Sequence, residues 1–247
     1  MRVAVLSDVH GNLPALEAVL ADVERSGVER IVLTGDIAAG PLPGETLDRL
    51  VALGDRVVWV RGNADRAMVE AFDRKAGSDA VPEDVAAGHL LTRAQRDLLA
   101  GLPLTVTLEV DGLGTVLFCH GTPRRDDEVV LVDSPPSWFE AVLSGVTADA
   151  VVLGHTHMPF ARLVARRWVI NPGSVGMPYG HDGAAWALLG PTVALRRTAY
   201  DAAAAAERLR RSAIPSAATW VDQYVLHHYS DLEALEAFTP RAQETPS

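Results

Sequence analysis

Five apolar runs constrain the fold of this 247-residue chain more than any other feature. Each is short enough for a strand, and each ends within a few residues of a histidine, aspartate or asparagine. Val3–Leu6 leads to Asp8 and His10, residues 31–33 to Asp36, and residues 57–60 to Asn63. Residues 116–118 lead to His120, and residues 151–153 to His155 and His157. Between the first three runs lie the amphipathic stretch Leu13–Arg25 and a helical pattern over residues 45–53. That βαβαβ rhythm predicts a parallel sheet with right-handed crossovers.

Further helices are predicted over residues 66–72, 82–90 and Arg93–Ala100. From Leu104 onward the strands crowd together, over residues 104–110, 115–119, 150–153, 160–165, 168–170, Ala184–Leu189 and 193–197. A helix over residues 136–143 falls among them, and Gly190-Pro191 marks a hairpin turn. So many strands with so few covering helices predict two sheets packed face to face, with helices outside. The end of the chain is helical by propensity over residues 200–212, 217–228 and 231–238, and the polar residues 239–247 are expected to fray. Residues 1–198 therefore form the predicted main domain, and residues 199–247 a helical appendage with a frayed tail.

In open α/β sheets, sites gather beyond the carboxyl ends of strands. The seven polar side chains are thus expected on one rim. Residues two apart in an extended segment point to the same side, which pairs Asp8 with His10 and His155 with His157. Gly11, Gly35, Gly62, Gly121 and Gly154 accompany them and permit close backbone approach. Four imidazoles, two carboxylates and one amide form a mixed nitrogen and oxygen set without thiolate. It suits manganese, iron, zinc or a similar ion and is too nitrogen-rich for calcium. Seven donors exceed the needs of one tetrahedral ion, whereas two ions sharing a carboxylate would use them well.

Charge narrows the choice of partner. A formal net charge of −10 disfavours long nucleic acid and anionic membranes. A phosphate-bearing ligand must then be drawn in by a local positive centre. No apolar run approaches the ~20 residues that span a bilayer. The first residues read as a strand rather than a signal peptide, and the lone Cys119 excludes an internal disulfide. A cytoplasmic location is the resulting expectation.

The segments Asp8-Val9-His10-Gly11-Asn12, Gly35-Asp36, Gly62-Asn63, His120-Gly121 and Gly154-His155-Thr156-His157 resemble the calcineurin-like metallophosphoesterase superfamily. More narrowly, the chain is similar to its small prokaryotic phosphodiesterase branch. The resemblance covers roughly residues 1–175, with the motifs in family order. It implies a four-layer αββα sandwich of two packed mixed sheets with flanking helices, holding two divalent ions. Asp8, His10, Asp36 and His157 would hold the first; Asp36, Asn63, His120 and His155 the second, with Asp36 bridging. Manganese is the first choice, with iron, zinc, nickel or cobalt as alternatives. The implied activity is hydrolysis of small phosphate esters, diesters before monoesters, by in-line attack of water activated to hydroxide. The alternative is a non-catalytic scaffold, as in the retromer subunit of similar fold, but a complete ligand set favours an enzyme.

One departure stands out. Many relatives carry histidine after the Gly-Asn pair, where it is thought to protonate the leaving oxygen; here the residue is Ala64, followed by Asp65. A methyl group transfers no proton, so a contribution typically worth ~10²–10⁴-fold is missing. Asp65 is a candidate catalytic or supporting acid at the start of a helix. Arg124 is a candidate phosphate contact through its guanidinium fork, as is Arg125. Asn12 is expected to cap a helix, and Cys119 to be buried and inert. Asn171-Pro172-Gly173-Ser174 reads as a turn. His89, His181, His227 and His228 have no motif around them, His181 being the one candidate substitute acid. The helix over residues 200–212 suits packing or an oligomer contact.

Overall fold

The computed structural model describes residues 1–75, 77, 81–227 and 229–243. Strands β1 (Val3–Leu6), β2 (Arg30–Leu33) and β3 (Val57–Trp59) run parallel, linked by helices α1 (Leu13–Arg25) and α2 (Pro43–Val51). Strand β9 (Ala184–Leu189) pairs antiparallel with β1, and β10 (Val193–Thr198) with β9, giving the sheet order β10-β9-β1-β2-β3. The second sheet comprises β4 (Thr105–Val110), β5 (Gly114–Cys119), β6 (Ala150–Val152), β7 (Phe160–Val164) and β8 (Arg167–Asn171). Its order is β4-β5-β6-β8-β7, with β5, β6 and β8 parallel and the outer strands antiparallel. Helices α3 (Asn63–Phe72), α4 (Pro82–His89) and α5 (Arg93–Ala100) lie in succession between β3 and β4, and α6 (Pro136–Val142) between β5 and β6; α7 (Ala202–Leu209), α8 (Ala217–Tyr224) and α9 (Asp231–Gln243) end the chain.

Strand alternation builds the layers. Val3, Val5 and Val32 face the second sheet, where they meet Val116, Phe118, Val152 and Ile170. Their neighbours Ala4, Leu6, Ile31 and Leu33 point the other way, into a cluster with Leu16, Val19, Leu20 and Val23 of α1. On the far face of the second sheet, Cys119, Val151 and Val169 pack with Phe139 and Val142 of α6. The result is the αββα sandwich, with two mixed five-stranded sheets at its centre.

The C-terminal segment departs from expectation in one respect. Residues expected to fray from Thr239 continue α9 through Pro240 to Gln243. Tertiary packing overrides the proline: Ala234 and Phe238 are buried against Val129, Leu131 and Met158. Residues 244–247 of the expected tail, and His228, lie outside the described residues. Helices α7 and α8 place Ala205, Leu209, Trp220 and Val221 in the same apolar cluster as α1. Among the described residues, no helix is long and apolar enough to cross a membrane.

Candidate metal centre

Parallel pairing brings the strand ends level. Leu6 pairs with Leu33 and Leu33 with Trp59, so the segments carrying Asp8, Asp36 and Asn63 leave the first sheet together. Phe118 pairs with Val152, which does the same for His120 and His155 in the second sheet. The two rims touch: His120 Nδ1 donates to the carbonyl of Thr34, on the other sheet, at 2.7 Å. All seven expected residues meet there.

Within this rim, Asp8, His10 and His157 form one close group, and Asp36, His120 and His155 another. His157 Nε2 lies 3.2 Å from Asp8 Oδ1, and His10 Nε2 3.3 Å from His157 Nε2. Asp36 Oδ2 stands 3.3 Å from His120 Nε2 and 3.8 Å from His10 Nε2, so it faces both groups. Asn63 Oδ1 is 3.2 Å from His120 Nε2.

The histidines are oriented from behind. Nδ1 of His10, His120 and His157 bonds the carbonyls of Ala39, Thr34 and Met177 at 3.1, 2.7 and 3.1 Å. A carbonyl only accepts, so each Nδ1 carries a proton and each ring turns its Nε2 inward, the nitrogen left to ligate a cation. Lone pairs converging without protons between them are what a cation requires. Asp8 Oδ1 and His155 Nε2 add to this: both are buried without a hydrogen-bond partner among the described residues. The donor set therefore fits divalent metal ions.

The backbone is bent to achieve this. Asp8, His10, Asp36, His155 and His157 have φ of 53°, 46°, 51°, 66° and 57°. Left-handed residues other than glycine cost on the order of 1–3 kcal/mol each and persist where surroundings hold them. Here Asp8 N donates to Gly35 O and His10 N to Asp36 O, both at 3.0 Å. His155 N donates to Asp8 Oδ2 at 3.2 Å, and Ser174 Oγ to the Asp8 carbonyl at 2.7 Å. The expected turn at Asn171–Ser174 thus braces the site, as Asn171 Nδ2 also donates to Gly154 O at 2.7 Å. Asn12 caps α1, accepting from Ala15 N at 3.3 Å, and donates to Gly176 O at 3.0 Å.

Charge is balanced within the centre. Burial would raise the Asp8 carboxyl, but His157 and His120 beside it hold it below the ordinary range. Asp36 is held down in the same way, chiefly by His120. Burial disfavours a charged His120, yet Asp36 and Asp8 hold its pKa up at about 10. His155, buried and facing the charge of His120, falls to about 3. In the metal-free protein the His120–Asp36 pair therefore keeps a proton that metal binding must displace.

Four of the candidate residues, Asp65, Arg124, Arg125 and His181, do not line the cleft. Asp65 is fully buried and accepts from the backbone N–H groups of Gly62, Ile37 and Asp36 at 2.8, 2.9 and 3.0 Å. It is a strut that shapes the Asp36 and Asn63 loops, with all its bonds directed to backbone. Arg124 is turned away by a two-point ion pair with Glu128 at 2.5 and 2.8 Å, and its guanidinium lies over Trp138. Arg125 pairs instead with Asp127 at 3.0 Å. His181 is exposed and does not line the cleft. Cys119 is buried, and burial pushes its thiol up.

The cleft over the centre has a volume of about 390 Å³. Ala64 lines it, at the position that lacks a proton donor, together with Glu83, Asp84, Tyr179, Trp220, Tyr224, Phe238 and Arg241. None of the last seven carries a motif. The available signal is the aromatic residues on the apolar faces of the final helices, which sequence alone assigns to packing.

Asp84 offers a check on this electrostatic picture. Burial first, then the charges of Asp36, Asp65 and Glu83, push its carboxyl from 3.8 up to about 8. Between those values the unfolded chain has lost the proton that the folded chain keeps, so stability falls as pH rises through that window and levels off above it. Asparagine cannot ionise. In metal-free protein, the melting temperature of Asp84→Asn relative to wild type should climb from pH 5 to pH 8 and then plateau. A difference independent of pH would refute the assignment.

Two mixed sheets with flanking helices, carrying paired His/Asp groups where strands of both sheets end, define the metallophosphoesterase architecture. The chain belongs to the calcineurin-like phosphoesterase superfamily, whose domain model matches residues 1–191. It is 27% identical over 239 residues to protein MJ0912 of Methanocaldococcus jannaschii, covering 86% of this chain and 93% of that one. It is 26% identical over 203 residues to phosphodiesterase YfcE of Escherichia coli, covering 76% and 87%. Among solved structures, a metallophosphoesterase from Sphaerobacter thermophilus superposes with a TM-score of 0.69 at 28% identity, covering 91% of this chain and all of that one. Protein PH1004 of Pyrococcus horikoshii OT3 shares the fold, with a TM-score of 0.76 at 22% identity over 92% and 99% of the two chains.

Proposed function

We propose that this protein is a phosphodiesterase dependent on two divalent metal ions, manganese first among them. The observation that carries the reading is the convergence of imidazole Nε2 atoms and carboxylate oxygens from two sheets, with three of the rings held from behind by carbonyls. Asp8, His10 and His157 would hold one ion, and His120, His155 and Asn63 the other, with Asp36 between them. Bound ions supply Lewis-acid polarisation of the phosphoryl oxygens and water activated near neutral pH. The protein's share is to hold these donors rigid and to keep the imidazoles in the ligating tautomer.

Two features support a diester substrate. Ala64 cannot protonate a leaving oxygen, so groups that depart as stable anions are favoured. The cleft also carries Glu83, whose charge opposes a monoester dianion more than a diester monoanion. The second ester group finds aromatic surface in Tyr179, Trp220 and Tyr224. A lone buried Cys119 suits a reducing compartment, and the cytoplasm is the location proposed. With Mn²⁺-loaded protein, bis(4-nitrophenyl) phosphate should give a higher kcat/KM than 4-nitrophenyl phosphate. A clear monoester preference would replace this reading with a phosphatase, and metal binding without turnover of either would return the scaffold.

A further inference from the structure

The final helix lies beyond the part of the chain matched by the superfamily model, which ends at residue 191. Yet it reaches the centre. The ring of Phe238 stands 6.3 Å from that of His155 and 6.4 Å from that of Tyr179, which in turn lies 5.9 Å from His157. Ala234 and Phe238 anchor the helix in an apolar cluster with Val129, Leu131 and Met158. One turn's reach from Phe238, Arg241 places its guanidinium 4.9 Å above the Phe238 ring and lines the same cleft as His10, Asp36, Asn63, His155 and His157. Among the described residues lining that cleft, it is the one arginine or lysine.

We propose that α9 roofs the metal cleft and that Arg241 is its phosphate-contacting residue, holding a non-reacting oxygen of a small phosphodiester. The inference rests on the phosphodiesterase reading. A guanidinium fork matches two phosphoryl oxygens, and stacking on Phe238 restricts its motion before substrate arrives. The task assigned from sequence to an arginine after His120 thus falls to a helix at the other end of the chain. An anchored roof also limits the substrate: a small diester fits beneath it, whereas a long polymer must displace it. With Glu83 in the same cleft, Arg241 is the lining side chain whose charge would draw the anion toward the ions.

The test compares wild type, Arg241→Gln and Arg241→Lys, each loaded with Mn²⁺, on bis(4-nitrophenyl) phosphate, with orthophosphate as a competitive inhibitor. Arg241 is exposed, so the fold and the metal content should be unchanged. Arg241→Gln should lower kcat/KM by about 10- to 100-fold, the range expected for losing a hydrogen bond to a charged group, and should weaken orthophosphate inhibition in parallel. Arg241→Lys should recover part of both, since it keeps the charge and loses the fork. Unchanged kcat/KM and inhibition in Arg241→Gln would overturn the inference while leaving the proposed function standing. A wild type that binds Mn²⁺ but cleaves no ester would overturn the function itself, and the inference with it. Loss of activity accompanied by loss of metal would assign Arg241 to the integrity of the centre and would also overturn it.

Discussion

Asp36→Asn is expected to remove metal from both halves of the centre and to abolish nearly all ester hydrolysis. The native carboxylate divides its work: Oδ1 accepts from Ala64 N at 2.8 Å, while Oδ2 faces His120 at 3.3 Å and His10 at 3.8 Å. Asparagine keeps the shape and, through its carbonyl, the bond to Ala64. Its NH₂ then occupies the place of Oδ2, presenting a donor where a cation needs a lone pair. A metal contributes several kcal/mol of transition-state stabilisation, so activity should fall by on the order of 10³-fold or more. Elemental analysis after reconstitution with Mn²⁺ should find about two ions per wild-type chain and close to none in the variant. A variant retaining one full equivalent would show that Asp36 serves a single ion, and one retaining both would remove it from the centre.

Gly62→Ala should damage the centre severely although Gly62 itself would ligate nothing. Gly62 has φ of −98°, open to any residue, so its requirement is space. A Cβ built there would stand 2.1 Å from Asp36 Oδ1 and 2.3 Å from Asp36 N, far inside contact distance. The neighbour is the proposed ligand Asp36, braced by Asp65 and Ala64, so little can give way. Overpacking of this kind costs about 1–3 kcal/mol of stability. The displacement of Asp36 should cost most of the metal as well, so metal content and melting temperature should fall together. Normal Mn²⁺ binding in a folded Gly62→Ala protein would mean that the Asp36 loop is looser than its hydrogen bonds indicate.

The seven converging residues are legible in the sequence because parallel strands impose a simple geometry. Level pairing of β1, β2 and β3 brings Asp8, Asp36 and Asn63 to the same edge. Strand alternation does not carry the rest: Asp8, His10, His155 and His157 lie past the strand ends with positive φ, and His155 and His157 fall in different groups. The hairpin at Gly190-Pro191 and the layered sandwich follow from the same periodicities. Legibility stops where contacts are not repeated along the chain. Arg124 follows His120 by a few residues, a spacing that suggests a place facing the substrate, but Glu128 captures it; Asp65 follows Asn63 and is captured by three backbone N–H groups. Proximity in sequence does not predict direction, because a side chain turns to whichever partner its loop brings closest.

What the sequence determined by itself is the order of strands and helices and the set of donors at the strand ends, since both depend on local periodicity and residue type. Only the tertiary structure decided how the two sheets meet, seen in the bond from His120 to Thr34, and what covers the centre. The course of α9 through Pro240 could not be read from propensity, since burial of Ala234 and Phe238 outweighs a proline near its end. Nor could the cleft's aromatic and cationic wall, which joins residues far apart in the chain through packing energies that no local pattern records.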